Sequence, residues 1–433
     1  MRRFLILVAL ALAAVVPALV LRATGWRPSP ILDAAAFGSA ILAAGFLLSW
    51  GAETAEQHIA QGLILAVVAL VTVLPEYAVD LYYAYKAGLE GPQSQYVHYA
   101  AANMTGANRL LVGLAWPLMV FLHWIKDRHR AIDLAPANAT EIGFLLLPSL
   151  YAFVILFKRS ISVLDFAVLA TIFGAYVWRV RNLPKSDNSD ETEEPGPAAA
   201  LNTLSPAKQW AAIGALVVVA CGVILISAEP FAEAMVSTGR AIGLNEFLLI
   251  QWLAPLASEA PAVSVAVLFV LANRAGNGLT ALISDKINQW TLLVGMLPLA
   301  LSVGAGAMSA LPLDARQGEE FFLTAAQSLF GIALLLRLRL GLWSALALTG
   351  LFAVQVGLAF YYRNDEARTI ATLTALAWVY LGLAALLFLI NGRRLIGLLR
   401  DAFVAAPSSL ALAGKSLDDV PPRGDRKAKS VAG

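Results

Sequence analysis

Residues 68–85 read VALVTVLPEYAVDLYYAY, residues 251–269 read QWLAPLASEAPAVSVAVLF, and each stretch carries one glutamate within a long apolar run. These glutamates are Glu76 and Glu259. An ionisable side chain at membrane depth is costly unless it is paired, hydrated or bound to an ion. Two similar acidic segments in the two halves of one chain therefore indicate an ion-binding site between internal repeats.

Both acidic segments also contain proline, at Pro75 in the first and at Pro255 and Pro261 in the second. Proline lacks a backbone N–H group and frees the carbonyl group of the preceding turn. At membrane depth such carbonyl groups are tolerated where they line a polar cavity or coordinate a cation. We therefore expect helix breaks at these three prolines.

The composition is typical of a membrane protein. Of 433 residues, 59% are hydrophobic and 14% are charged, and the mean hydropathy is +0.72. The net charge of +2 is too small to indicate nucleic-acid binding. The sequence has one cysteine and no GxxxxGK[ST] loop, so we expect no internal disulfide, no use of ATP and no cofactor.

Apolar runs of about 20 residues predict an all-α polytopic membrane protein with about twelve transmembrane helices. Six predicted helices precede an acidic linker and six follow it. The first and the last are interpreted as additions, one at each end of the chain, which leaves five helices in each half. An odd number per half gives two inverted-topology repeats. The predicted spans are 4–21, 31–50, 59–86, 95–125, 141–157, 160–178, 208–228, 245–272, 278–304, 319–338, 341–361 and 369–391.

The linker and the tail divide the chain into six predicted segments. The N-terminal apolar run is interpreted as a retained span rather than as a cleaved signal peptide. The segments are an extra N-terminal span at 1–29, a first repeat at 30–182, a cytoplasmic acidic linker at 183–207, a second repeat at 208–361, an extra C-terminal span at 362–404 and a flexible basic tail at 405–433.

Lysine and arginine cluster at 126–130, 179–185, 337–339 and 393–400. All four clusters fall on one side of the membrane if the N-terminus is cytoplasmic, and basic loops favour that side. Both termini and the linker are therefore expected in the cytoplasm, with the protein in the plasma (inner) membrane. Glu229 and Glu233 are expected in a loop on the other side.

Each acidic segment is followed by a second span that carries polar residues. The first reads HYAAANMTGANRLLVGLAWPL at 98–118, and the second reads LTALISDKINQWTLLVGMLPL at 279–299. Both contain LLVG followed by proline. The LLVG stretches are 182 residues apart and the two glutamates are 183 apart, which is the spacing of a diverged duplication.

With these motifs the chain resembles the calcium/cation antiporter superfamily, which includes the sodium/calcium exchangers. Each of that family's two inverted repeats has a broken helix of the G-T-S-L-P-E type and a following helix of the G-N-x-x-G-S-N type. The first pair is matched by TVLPE at 72–76 and NMTGAN at 103–108. The second pair, PLASE at 255–259 and SDKIN at 284–288, is more diverged.

The resemblance implies that a glutamate from each broken helix and an Asn or Asp from each following helix surround a divalent cation. Ca²⁺ binds six to eight oxygen ligands, which carboxylates, amides and freed carbonyl groups supply. The implied ligands are Glu76, Asn103, Glu259 and Asp285. Further candidates for the site are Thr72, Asp80, Asn108, Ser258, Lys286 and Asn288.

Two departures from the family pattern concern the coupling ion. The hydroxyl residues that the family uses for Na⁺ are depleted, since Val73 replaces one and Pro255 and Leu256 replace the second pair. Lys286 places a positive charge beside the acidic cluster, where it is expected to pair with a carboxylate. Reduced dependence on Na⁺ and exchange with protons follow as expectations. A lysine–aspartate pair at a span end is the alternative interpretation of 285–286.

The expected function is secondary active antiport of Ca²⁺ or a related cation against Na⁺ or H⁺ by alternating access. One alternative is a Na⁺/H⁺-type cation/proton exchanger that does not move Ca²⁺. Another is an intramembrane enzyme that uses the two carboxyl groups for acid–base chemistry, although we expect no enzyme here, and a third is a channel. The expected partners are small cations and the lipid bilayer.

Overall fold

The computed structural model describes residues 1–55, 73–91, 93–182, 197–243 and 246–404. Most of these residues form long helices. Several predicted features lie outside the described residues. They are Thr72, the first part of the span predicted at 59–86, most of the predicted linker and the whole predicted tail.

The first half of the chain contains α1 (Arg2–Thr24), α2 (Pro30–Ala55), α3 (Leu74–Glu90), α4 (Gln95–Leu110), a π-helical turn (Leu111–Ala115), α5 (Trp116–Asp127), β1 (Ala131–Asp133), a 3-10 turn (Pro136–Asn138), α6 (Ala139–Lys158), β2 (Ser160–Ile161) and α7 (Val163–Arg181). The second half contains a 3-10 turn (Pro197–Thr203), α8 (Pro206–Ile242), α9 (Glu246–Leu271), α10 (Ala275–Asn288), a π-helical turn (Gln289–Leu293), α11 (Val294–Ala305), β3 (Leu311–Pro312), α12 (Ala315–Leu335), β4 (Arg339–Gly341), α13 (Leu342–Tyr361), α14 (Glu366–Ile390) and α15 (Gly392–Phe403).

Ten segments among the described residues are long and apolar enough to cross a membrane, so the prediction of a polytopic helical membrane protein is confirmed. The span predicted at 59–86 is described only over α3. The span predicted at 319–338 corresponds to α12, whose first turns carry Arg316, Glu319 and Glu320. These charges make α12 less apolar than the other spans, but α4, α6 and α14 pack around it.

Two short strand pairs, which the sequence did not predict, show that the repeats are inverted. β1 pairs with β4, and β2 pairs with β3, both antiparallel. Helix α6 therefore runs from the first strand pair to the second, whereas α12 runs from the second to the first. Because α6 and α12 hold corresponding places in the two repeats, the repeats have opposite orientations, as predicted.

Helix packing across the two repeats is reciprocal. Helix α3 of the first repeat packs on α11 of the second, and α9 of the second packs on α4 of the first. A methyl group at Gly88 would overlap the Leu301 carbonyl oxygen, and one at Gly106 would overlap the Gln251 carbonyl oxygen. Small residues that let backbones approach closely are the usual interface of membrane helices. The acidic segments are thereby held between the repeats.

Helix α8 corrects one expectation. It continues to Ile242, so Glu229 and Glu233 lie on a helix and not in a loop. The Glu233 carboxylate accepts hydrogen bonds from the hydroxyl groups of Tyr82 at 2.6 Å and Tyr96 at 2.5 Å. Glu233 is half-buried, and these hydrogen bonds satisfy its carboxylate within a continuing helix. The apolar residues around it continue the span.

The described residues of the four basic clusters lie at one face of the protein. Strands β1 and β4 join the first and third clusters. The Arg179 guanidinium donates to the Ala402 carbonyl oxygen at 2.9 Å, and Arg337 donates to the Asn391 side chain at 3.4 Å. These contacts bring the linker start and the tail start to the same face, which we call the β1–β4 face. The opposite end is the β2–β3 face.

Candidate cation site

The predicted site lies where α3 and α4 of one repeat meet α9 and α10 of the other. The residues Glu76, Asp80, Asn103 and Glu259 are each no more than 1% exposed, and Asp285 is half-buried. The charges of Glu76, Glu259 and Asp285 act on one another. The structure thus brings the predicted carboxylates of the two repeats into one electrostatic cluster.

In the first repeat the site joins two helices. The Asn103 side-chain amide on α4 donates to Asp80 Oδ1 on α3 at 2.9 Å. Asp80 lies one turn after Glu76, on the same side of α3. One Glu76 oxygen, one Asp80 oxygen and the Asn103 oxygen have no hydrogen-bond partner within the described chain. Three oxygen atoms of the type that Ca²⁺ prefers are therefore available on this side.

In the second repeat the pattern differs. Glu259 on α9 accepts a short hydrogen bond from the Gln289 side-chain amide, which belongs to the π-helical turn after α10. Asp285, about one turn before Gln289, interacts with Glu259 through charge. The second Glu259 oxygen has no partner among the described residues.

Lys286 is buried between the repeats. Its side chain is fully enclosed, and the ammonium group donates to Asn108 Oδ1 at 2.8 Å and to the Asn108 carbonyl oxygen at 3.1 Å. The ammonium nitrogen also lies 4.8 Å from the centre of the Trp290 ring, a favourable cation–π distance. The expected ion pair with a carboxylate is thus replaced by amide oxygen atoms, and the position is not a span end at the interface.

The helix breaks predicted at Pro255 and Pro261 are wrong, because α9 continues through both prolines. The Gln251 carbonyl group, which would bond the missing N–H of Pro255, lies against Gly106 instead. Helix α4 thus packs closely on the carbonyl group that lacks its usual hydrogen bond within α9. Pro75 lies in the first turn of α3, where proline is tolerated, and residues 56–72 are not described.

Two further candidates have hydrogen-bond partners other than the carboxylates. The Ser258 hydroxyl donates to its own helix, to the Ala254 and Pro255 carbonyl groups at 3.4 and 3.3 Å. The Asn288 side chain accepts from the Tyr77 hydroxyl at 2.8 Å, which ties α10 to α3. Thr72 lies outside the described residues.

Sequence reasoning missed Gln289, Tyr77 and the two π-helical turns. The signal for Gln289 was the run of polar residues from 284 to 289 inside an apolar span. Each second helix of a repeat carries one π-helical turn, at Leu111–Ala115 and at Gln289–Leu293. Such turns rotate the following side chains and are frequent at functional sites. Here the second turn directs Gln289 to Glu259.

The described residues contain no group of three acidic, histidine or cysteine side chains close enough to hold a metal ion. Asp80 is hydrogen-bonded to Asn103 and Glu259 to Gln289.

The family model for the sodium/calcium exchanger protein matches residues 29–181 and 213–361. The chain belongs to the sodium/calcium exchanger family. Both matched segments contain one acidic helix and its following polar helix. The family transports small cations, so this protein is of the cation-exchanger type. With ten long apolar helices among its described residues, it is an integral multi-pass membrane protein. The family resemblance inferred from the motifs is confirmed.

Solved structures agree with the assignment. The chain is similar to one described as the H⁺/Ca²⁺ exchanger CAX, with 36% identity over 96% of this chain and 99% of that chain and a TM-score of 0.84. It shares the fold of the Ca²⁺/H⁺ antiporter protein YfkE, with 18% identity over 82% and 99% of the two chains and a TM-score of 0.57. No protein of curated function matches the chain.

Proposed function

We propose that this protein is a secondary active antiporter that moves Ca²⁺ across the membrane in exchange for H⁺. The observation that carries the proposal is the cluster of buried Glu76 and Asp80 from one repeat with buried Glu259 and half-buried Asp285 from the other. Four carboxyl groups and an amide supply the hard oxygen ligands that a divalent cation requires. A monovalent cation would not balance so much negative charge.

The inverted repeats support alternating access. Two copies of one helix unit in opposite orientations can pack in two related ways of similar energy. One arrangement opens the site to one side of the membrane, and the other opens it to the opposite side. We propose that Glu76 and Glu259 stay at the centre while the helices around them rock. Binding of Ca²⁺ draws the carboxylates together, and the cation replaces the hydrogen bonds from Asn103 and Gln289.

Three features favour H⁺ over Na⁺ as the coupling ion. Val73, Pro255 and Leu256 stand where the family pattern has hydroxyl residues, so fewer hydroxyl oxygens are offered to a sodium ion. Lys286 adds a basic group between the two half-sites, where it bonds Asn108. The H⁺/Ca²⁺ exchanger CAX is 36% identical to this chain. We propose that Lys286 stabilises the carboxylates when Ca²⁺ leaves, a role that Na⁺ would otherwise fill.

We further propose that the β1–β4 face is cytoplasmic, in the plasma (inner) membrane. Four Lys/Arg clusters meet there, and basic loops remain on the cytoplasmic side during insertion. Access of a cysteine reagent to single cysteines placed at Arg130 and at Met308 tests this orientation in intact cells.

The test of the function is Ca²⁺ flux into proteoliposomes that contain the purified full chain. A pH gradient of either sign should drive Ca²⁺ movement, and a Na⁺ gradient at equal pH should not. Ca²⁺ movement driven only by Na⁺ would establish the sodium-coupled alternative. A pH gradient that moves Na⁺ but not Ca²⁺ would establish the Na⁺/H⁺-type alternative.

A further inference from the structure

A second group of buried charges lies outside the cation site, at the first turns of α12. The side chains of Glu319 and Glu320 are 1% and 0% exposed. The Arg316 guanidinium lies 2.9 Å from Glu320 and 3.7 Å from Glu319. Arg109 of α4 forms a short ion pair with the other Glu320 oxygen. Two arginines and two glutamates therefore form one continuous network inside the protein.

This network reaches the cation site through adjacent residues. Arg109 directly follows Asn108, and Asn108 holds the Lys286 ammonium group through two oxygen atoms. Arg109 also lies over the Trp252 ring at 5.1 Å, and Arg316 lies over the Phe247 ring at 4.9 Å. Both rings belong to α9, the helix that carries Glu259. Charge and packing thus connect Glu320 with both halves of the cation site.

The outer end of the network is open to the β2–β3 face. Glu319 and Arg159 line a cavity of about 270 Å³, and Arg316 lines a second cavity of about 240 Å³. Neither oxygen of Glu319 has a hydrogen-bond partner within the described ranges. A buried carboxyl group without hydrogen bonds is costly when charged, and here it lies at a cavity large enough for water.

We propose that Glu319 is a proton-binding site distinct from the cation site, and that its charge is transmitted to the cation site through Glu320, Arg109 and the Asn108–Lys286 contact. The inference rests on the proposed exchange of Ca²⁺ for H⁺. A proton from cavity water binds a Glu319 oxygen and neutralises it. Arg316 then turns fully to Glu320, and Glu320 neutralises less of the Arg109 charge.

The direction of the effect follows from these charges. A less neutralised Arg109 raises the positive potential at Lys286 and Glu259, which weakens Ca²⁺ binding. By thermodynamic reciprocity, Ca²⁺ binding favours loss of the Glu319 proton. Protonation from the β2–β3 face thus promotes Ca²⁺ release. The charged or titratable groups around Glu319 are Arg316 and Glu320 on α12, Arg109 on α4, Arg159 after α6, and Asp314 with its neighbour His98; α14 contributes only Thr374 to the cavity.

The experiment measures Ca²⁺ affinity of the detergent-solubilised full chain by calorimetry across a series of pH values. The variant Glu319→Gln imitates the protonated state. At high pH it should bind Ca²⁺ about 5-fold more weakly than the unaltered protein, the lower end of coupling between separate sites. At low pH the two should bind equally. Glu319→Asp, which keeps a carboxyl group, should retain the pH dependence.

The control is Asp314→Asn. Asp314 lines the same cavity and is half-exposed, and asparagine, like aspartate, is suited to cap the N-terminus of α12. It should behave like the unaltered protein. If Glu319→Gln does not fold, Arg316→Gln takes its place. It removes the guanidinium group that lies between Glu319 and Glu320, so Ca²⁺ affinity should depend less on pH than in the unaltered protein, as expected for Glu319→Gln.

An unaltered pH dependence in Glu319→Gln, or an equal change in Glu319→Asp and Glu319→Gln, would overturn the inference and leave the proposed exchange intact. Ca²⁺ affinity that does not vary with pH in the unaltered protein would overturn the inference and H⁺ coupling together. The two failures are therefore distinguishable.

Discussion

The two repeats share a backbone plan but differ in their chemistry. In the first repeat, Asp80 and Asn103 bond each other beside Glu76. In the second repeat, the glutamate is bonded by Gln289 and accompanied by Lys286. The repeats therefore supply one acidic half-site and one half-site in which positive charge moderates the acid.

Under the proposed exchange of Ca²⁺ for H⁺, this difference is how the duplicated scaffold changes its ion requirement. The packing between repeats depends on small residues and apolar faces, which both copies have kept. The polar residues are free to diverge within that packing, since each lies at the contact of only two or three helices. Substitutions at matched positions of the two repeats measure how far the half-sites have separated.

The largest effect is expected at the two glutamates. Glu76→Gln and Glu259→Gln should each lower Ca²⁺ flux in proteoliposomes by at least about 30-fold, because truncation of a buried charge contact costs about 2–5 kcal/mol. Glu229→Gln, at an exposed carboxylate paired with Arg22, is the control and should transport normally. Transport by either glutamate variant at the normal rate would exclude that half-site as a ligand.

Lys286→Met should change which gradient drives transport. Removal of the buried charge leaves the acidic cluster more negative, so Na⁺ is expected to bind and a Na⁺ gradient to drive Ca²⁺ movement at roughly 10-fold above the unaltered protein, about 1.4 kcal/mol. Lys208→Met, at an exposed lysine, is the control. A lower rate without any new Na⁺ dependence would contradict the role proposed for Lys286.

The accompanying carboxylates give a matched comparison. Asp80→Asn and Asp285→Asn should each weaken Ca²⁺ binding by about 10-fold, since affinity in oxygen sites follows the number of charged ligands. Calorimetry with the purified variants measures both. If only Asp80→Asn has this effect, the second repeat contributes one carboxylate and the site is asymmetric in ligands as well as in charge.

The smallest effect concerns packing. Gly106→Ala should destabilise the protein by about 1–3 kcal/mol, because a methyl group would be forced against the Gln251 carbonyl oxygen. Thermal unfolding in detergent measures the change. At Gly222 a methyl group meets nothing within 4 Å, so Gly222→Ala should be neutral or slightly stabilising. Equal unfolding temperatures for the two variants would disprove the close approach of α4 and α9.

Much of the fold could be predicted from the sequence. Apolar runs identified nearly every span, and the paired acidic segments identified the duplication. Two exceptions have the same cause. Glu233 was expected in a loop and α9 was expected to break at Pro255, yet hydroxyl groups of α3 and α4 satisfy Glu233 and Gly106 of α4 packs on the carbonyl that Pro255 frees. Partners from distant segments override a local signal.

The membrane class and the inverted duplication follow from sequence, as does the prediction of the two glutamates, because hydrophobicity and the spacing of similar segments are properties of the chain in one dimension. Tertiary structure decides the rest. Only packing shows that Lys286 contacts Asn108, that Gln289 bonds Glu259, and that Arg109 pairs with Glu320. The first and third of these pairs join residues about two hundred positions apart in the chain. Their contacts depend on helix rotation and register, which the π-helical turns and small interface residues set.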